Sequence, residues 1–263
     1  MIERSRGEGI DVAGDQYPYT ASSTGLTGGL FPRWSLVGGR EATLVRMDEN
    51  NTRARILADI NGFYLEYGGA EKVVIARYVP EPSYEGMSMH EIAKSMGCTP
   101  SEAALKLYEQ DDGQVIVHAM SEEDLDLIAT HPFISVASDG SSLSTEGILS
   151  SGRPHPRNYG TFPRFLARMV REKKLVKLEE AIRRMTSLPA ARLGLTKRGR
   201  LAPGYFADIV VFDPDTIKDT ASFEVPHSYP IGIFHVSVNG VLVIQDGEFT
   251  GKTPGKVIRD STH

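Results

Sequence analysis

Residues 114–140 read QVIVHAMSEEDLDLIATHPFISVASDG, two short apolar runs separated by a segment that opens with acidic side chains. Gln114–His118 is β-branched and brief, as strands are. Ser121 stands where a helix N-cap belongs, and Glu122, Glu123 and Asp124 put negative charge at the positive end of the helix dipole. A helix is therefore expected over Ser121–Thr130. Phe133–Ala137 reads as a buried strand that ends at Ser138-Asp139-Gly140. Strand, helix, strand in this order predicts a parallel α/β architecture.

Upstream, the first ten residues read as the end of a surface helix and a glycine-containing turn. Ile10–Tyr19 then alternates, as a strand running into a loop does. Residues 20–37 are rich in Ser, Thr and Gly with Pro32, which predicts a long loop. Lys72–Tyr78 is a further expected strand. Helices are expected over Met89–Met96 and Pro100–Tyr108, the latter capped by Thr99 with Glu102 at its third position. Downstream, Ser141–Tyr159 is loop-like, with Gly152, Pro154 and Pro156. Helical periodicity returns over Arg164–Glu172, Lys177–Thr186 and Pro189–Leu193. From about Thr196 the pattern turns all-β, with strands expected at Phe206–Phe212, His235–Asn239 and Val241–Gln245. Asn239-Gly240 is a strong hairpin signal between the last two. These changes predict a boundary near residues 195–200.

The chain has 263 residues, 40% of them hydrophobic and 24% charged, with a formal net charge of -5. Acidic and basic residues are interspersed, which argues against nucleic acid or an anionic membrane surface as partner. The longest apolar runs are far too short to cross a bilayer. The single cysteine, Cys98, allows no intrachain disulfide and fits a cytoplasmic location.

Several polar residues could carry chemistry. Asp139, at the end of a buried strand, occupies the place where parallel α/β barrels carry catalytic groups, although Asp-Gly is also a common turn. Arg157 suits bidentate binding of a carboxylate, and neighbouring His155 could donate a hydrogen bond or move a proton. A solvated surface loop would contain the same residues. Tyr17 and Ser23 could hydrogen-bond a substrate. His118 could be catalytic or a satisfied, partly buried imidazole, while His90, His131, His227, His235 and His263 suggest no site. No HxH, HExxH or closely spaced His/Asp/Glu set occurs, whereas a tight divalent metal site needs three or four converging ligands.

The C-terminal third resembles the amidohydrolase superfamily. The resemblance lies in Thr186–Ala190, Leu193–Leu195, Gly199–Leu201, Pro203–Asp213 and Val238–Gly240. Asp15–Tyr19 with Ala21–Thr24, Ser138–Gly140, His155–Arg157 with Tyr159–Arg164, and the tail segments Asp246–Gly251 and Pro254–Val257 are similar to the N-acyl-D-amino-acid deacylase (D-aminoacylase) branch. That resemblance implies an α/β fold made of the C-terminal part of a (β/α)8 metal-dependent hydrolase barrel, residues 1–195, followed by a small all-β closing domain, residues 196–263. It places Asp15 on or after the seventh barrel strand and Asp139 at the end of the eighth. Asp139 would be the catalytic acid/base and touch the metal. Tyr17, Ser23 and Arg157 would bind substrate, with His155 beside them.

The implied reaction is zinc-dependent hydrolysis of an N-acyl-D-amino acid to a D-amino acid and a carboxylate. The family's HxH pair and its other histidine ligands have no counterpart here, so the chain is expected to be a truncated or split C-terminal half. Its expected partners are the small N-acyl-amino-acid substrate and either a separate N-terminal half or further copies of itself. Two other readings stay open. One is a different amidohydrolase, dihydroorotase-like or hydantoinase-like, and the other is a non-catalytic remnant serving in binding or assembly.

Overall fold

Where the backbone hydrogen bonds of each strand go decides this architecture. In the computed structural model, which describes residues 1–258, a short helix α1 (Ile2–Gly7) leads into β1 (Gly14–Gln16). A long segment follows: β2 (Ser22–Gly25), α2 (Leu26–Leu30), α3 (Gly39–Asp48), α4 (Asn50–Tyr67), β3 (Val73–Arg77), α5 (Met89–Met96), α6 (Pro100–Gln110) and β4 (Gln114–Val117). After α7 (Glu122–Ala129) and β5 (Ile134–Val136) come α8 (Arg157–Phe165), a π-helical continuation over Leu166–Glu172, α9 (Leu178–Met185) and α10 (Ser187–Arg192). The chain then builds β6 (Ile209–Phe212), β7 (Ile233–Val238), β8 (Val241–Gln245) and β9 (Glu248–Phe249).

β1 pairs in parallel with β5, Asp15 lying opposite Ser135. β4 does not join them. It is the centre of a separate sheet, order β2-β4-β3, and runs antiparallel to both neighbours. The expectation that residues 114–140 form one parallel strand–helix–strand unit is thus corrected: both strands and α7 exist, but the strands belong to different sheets. The apolar pattern marks a strand as buried without recording the direction of its neighbour. That direction is set by which backbone edges meet in three dimensions.

Residues 20–37 are not the expected loop. Ser22–Gly25 pairs with β4, and α2 follows directly. The glycines there serve close packing: a Cβ on Gly29 would lie 3.1 Å from Val115 Cγ2, and one on Gly28 would lie 2.6 Å from Thr24 Oγ1. Residues 38–71, which gave no sequence signal, form the two helices α3 and α4. Around this segment lies a continuous core that includes Leu30, Ile56, Ile60, Val73, Ile75, Ile92, Leu105 and Val115.

Helix signals fare better because they are local. The Thr99–Glu102 capping box forms as expected, Ser121 caps α7, and a second capping box joins Ser88 to Glu91. A second core joins α7, β5, α8 and α9 through Leu125, Val136, Phe165, Met169 and Ala181, and Ile217 packs into it from beyond α10. Arg184 of α9 is buried there and donates to the carbonyls of Ala129 and Ile134, tying α7 to β5. The C-terminal strands form an antiparallel sheet in the order β6-β7-β8-β9. Asn239 (φ 50°) and Gly240 (φ 81°) make the tight turn between β7 and β8, as their sequence predicts. β6 is shorter than expected, starting at Ile209. His263 lies outside the described residues. No described helix is long and apolar enough to cross a membrane.

Candidate active site

Two short parallel strands point into this region. Tyr17 follows β1 by one residue, and Asp139 follows β5 by three. Asp139 adopts a left-handed backbone (φ 47°), uncommon for a residue with a side chain, and this turns the chain sharply out of the strand. The turn is held by Ser138 Oγ, which accepts from the Gly140 amide, and by Asn158 Oδ1, which accepts from the Ser141 amide at 2.6 Å.

Arg157 is the hub. It opens α8, and its side chain is 8% exposed. Nη2 pairs with Asp139 Oδ2 at 2.9 Å and donates to the Ser23 carbonyl at 3.3 Å. Its guanidinium carbon sits 4.8 Å from the centroid of the Tyr17 ring, a cation–π distance. Nη1 is buried and has no hydrogen-bond partner among the described residues. A charged donor left unpaired in the interior is costly, so it is a position where an acceptor would be strongly stabilised.

His155 lies two residues earlier and is 1% exposed. The Arg157 amide donates to its Nδ1 at 3.0 Å, so the proton resides on Nε2, which donates to the Ala21 carbonyl at 2.9 Å. Burial pushes its pKa down from 6.5 to about 3, against the favourable contact with Ala21. The ring is therefore neutral near pH 7, and both nitrogens are occupied by main chain. It braces Arg157 and leaves no nitrogen free for a ligand or a proton in transit. Burial also raises the Tyr17 phenol above its usual 10, with Arg157 opposing. The hydroxyl thus remains a donor.

The structure brings the other four expected residues together around Arg157: Asp139 by ion pair, Tyr17 by its ring, Ser23 by its carbonyl and His155 by its ring nitrogen. A cavity of about 410 Å³ opens beside them, lined in part by Ser23, Asp139, His155 and Arg157. Asn158 was missed by sequence reading. Its side chain spans the site, accepting from Ser141 and donating to the His155 carbonyl, and nothing in a lone Asn between Arg157 and Tyr159 signals that. His118, at the end of β4, packs its ring edge-on against Phe223, and burial lowers its pKa.

A metal requires converging ligands, and among the described residues no group of three His, Cys, Asp or Glu side chains could hold one. Asp139 offers one carboxylate, already paired with Arg157. These residues do not by themselves form a metal site.

Residues 147–244 match the amidohydrolase family. The chain is 36% identical, over 98% of its length, to an N-acyl-D-glutamate deacylase of Alcaligenes xylosoxydans xylosoxydans, and this alignment covers 43% of that protein. The chain belongs to the N-acyl-D-amino-acid deacylase family. A D-aminoacylase of the same organism is 40% identical over 72% of the chain and 37% of its own length. Among solved structures, an N-acyl-D-glutamate deacylase of Bordetella bronchiseptica, crystallised with zinc and a phosphonate mimic of the tetrahedral intermediate, superposes with a TM-score of 0.70. That match has 35% identity and covers 92% of this chain and 41% of the other. This deacylase-family chain thus spans less than half the length of the relatives it matches, and its α/β fold is similar to theirs.

Proposed function

We propose that the chain supplies the proton-transfer carboxylate and part of the substrate pocket of an enzyme that hydrolyses N-acyl-D-amino acids to a D-amino acid and a carboxylate. The observation that carries this reading is the Asp139–Arg157 pair, held by a neutral His155 at the mouth of a cavity. Asp139 accepts the proton of the attacking water and returns it to the leaving nitrogen. Arg157, with Nη1 still unpaired, takes the substrate α-carboxylate and so holds the amide against Asp139. The Tyr17 hydroxyl and Ser23 lie within the same constellation and orient the substrate, while His155 positions Arg157. In this reading residues 1–195 are the C-terminal part of a (β/α)8 barrel, with β1 and β5 its last two strands, and residues 196–263 are a closing β domain. Zinc would be the cofactor of such an enzyme, lowering the pKa of a bound water; Asp139 would offer it one carboxylate, and the described residues provide no cluster of further ligands. The single cysteine fits a cytoplasmic site of action.

A second reading is favoured by the lack of converging ligands among the described residues: alone, the chain is a non-catalytic binding or assembly module. Zinc content and N-acetyl-D-amino-acid hydrolysis separate the two. The chain is tested alone and co-expressed with the N-terminal part of a family relative. Zinc and turnover in the mixture only are the expected result. Their absence in both preparations would favour the module.

A further inference from the structure

One cation in the cavity is left over when the residues above have been assigned. Of the side chains lining it, only Arg77, Asp139 and Arg157 carry charge near pH 7. Asp139 and Arg157 neutralise one another across 2.9 Å. Arg77, at the end of β3, is exposed, and its side chain makes no hydrogen bond or ion pair among the described residues. An unpaired guanidinium on the cavity wall attracts an anion and can hold a carboxylate by two hydrogen bonds.

Its placement is built by the surrounding backbone. The register of β3 against β4 shifts between Ile75 and Arg77, so that Arg77 lies opposite Gln114, itself a lining residue. From the other side, the Arg153 amide donates to the Ala76 carbonyl at 2.6 Å. Gly152 (φ 84°) lets that loop come close, since a Cβ there would lie 2.9 Å from the Ala76 carbonyl oxygen and 3.2 Å from Arg77 Cβ. The loop that leads to Arg157 and the strand that carries Arg77 are therefore fastened together, and both arginines line the cavity.

We propose that Arg77 determines specificity by pairing with a second carboxylate of the substrate, so that this pocket takes N-acyl amino acids with acidic side chains in preference to neutral ones. The inference rests on Arg157 holding the α-carboxylate, as argued above. Arg77 would then bind the side-chain carboxylate, while the lining Leu143, Ile148 and Leu149 offer apolar surface to the acyl group.

The test is calorimetric titration of the chain with N-acetyl-D-glutamate and with N-acetyl-D-glutamine, which has the same shape without the second charge. One charge-assisted pair predicts about tenfold tighter binding of the glutamate derivative at low salt. Arg77→Gln is expected to abolish that preference and leave glutamine binding within about twofold, because the side chain is exposed and braces nothing. Arg157→Gln is expected to weaken both ligands together. If Arg77→Gln keeps the preference while Arg157→Gln weakens both, the specificity role is overturned and the carboxylate site stands. If Arg157→Gln leaves both affinities unchanged, or the unmodified chain binds neither ligand at millimolar concentration, both assignments fall. Circular dichroism of each variant shows that it is folded.

Discussion

The segment from Ser22 to Val117 and the sheet from Ile209 to Phe249 are both rich in β-branched and aromatic residues, yet they are buried to opposite degrees. In the first, Ile56, Ile60, Val73, Ile75, Leu105 and Val115 are 0% exposed. In the second, no strand residue is buried, and Val210, Phe234 and Phe249 are 53%, 47% and 65% exposed. The helices α4, α5 and α6 cover the β2-β4-β3 sheet, so its apolar side chains leave water. Hydrophobic composition stabilises a fold only where something is packed against it. The first region is equipped to hold its own shape, whereas the second depends on hairpin hydrogen bonds and on Ile217 and Ile233 reaching the core beneath α8 and α9.

The largest effect that would break this contrast is a failure of core truncation to matter. Ile60→Ala is expected to destabilise the first region by about 3–5 kcal/mol, read as a lowered urea midpoint and faster amide exchange in β2, β3 and β4. Little change would mean the segment is not a packed unit. Next comes Arg184→Ala, which leaves the Ala129 and Ile134 carbonyls and a cavity without their partner. About 2–4 kcal/mol should be lost, with exchange rising in β5, the strand that carries Asp139.

His155 sharpens the comparison because it sits on the seam. It donates from Nε2 to the Ala21 carbonyl at the root of β2 and packs edge-on against Phe223 of the C-terminal segment, 5.1 Å between ring centroids. Its folded pKa, about 3, lies below its ordinary 6.5, so the unfolded chain binds the proton first. Its contribution is complete above the ordinary value and is lost as pH falls from there towards 3. His155→Phe should flatten this acid dependence at a cost of about 1–3 kcal/mol near pH 7, from the unpaired Ala21 carbonyl and Arg157 amide. An unchanged pH–stability curve would contradict the neutral, buried ring. The smallest effect belongs to the sheet: Val210→Ala should change stability by less than about 0.5 kcal/mol. A larger loss would mean that its exposed face is covered in solution.

How far the sequence could be read follows from the range of each signal. Thr99–Glu102 and Ser121 act within one turn of helix, so the caps of α6 and α7 were legible. Ser88–Glu91 carries the same spacing and was overlooked. Residues 20–37 were misread because their Ser, Thr and Gly content is that of a loop, while Ser22–Gly25 is a strand only by virtue of β4, about ninety residues away. Asp139, Arg157, Tyr17 and Ser23 were candidates by residue type and position, where isolated turns and loops would serve equally well, and the family resemblance gave them their expected roles. Asn158 and Arg77 had no such signal. Their interest lies in what surrounds them, which no local pattern states.

The sequence by itself determined the helices with caps, the Asn239-Gly240 hairpin, the absence of any long apolar span, and the family to which the chain belongs. These depend on neighbours in the chain or on motif order. Tertiary structure alone decided that β4 runs antiparallel in its own sheet, that His155 is a neutral brace, that Arg157 has one donor to spare and that Arg77 shares its cavity. Direction, burial and pairing arise from contacts between residues far apart in the chain, and those exist only once the backbone has closed around them.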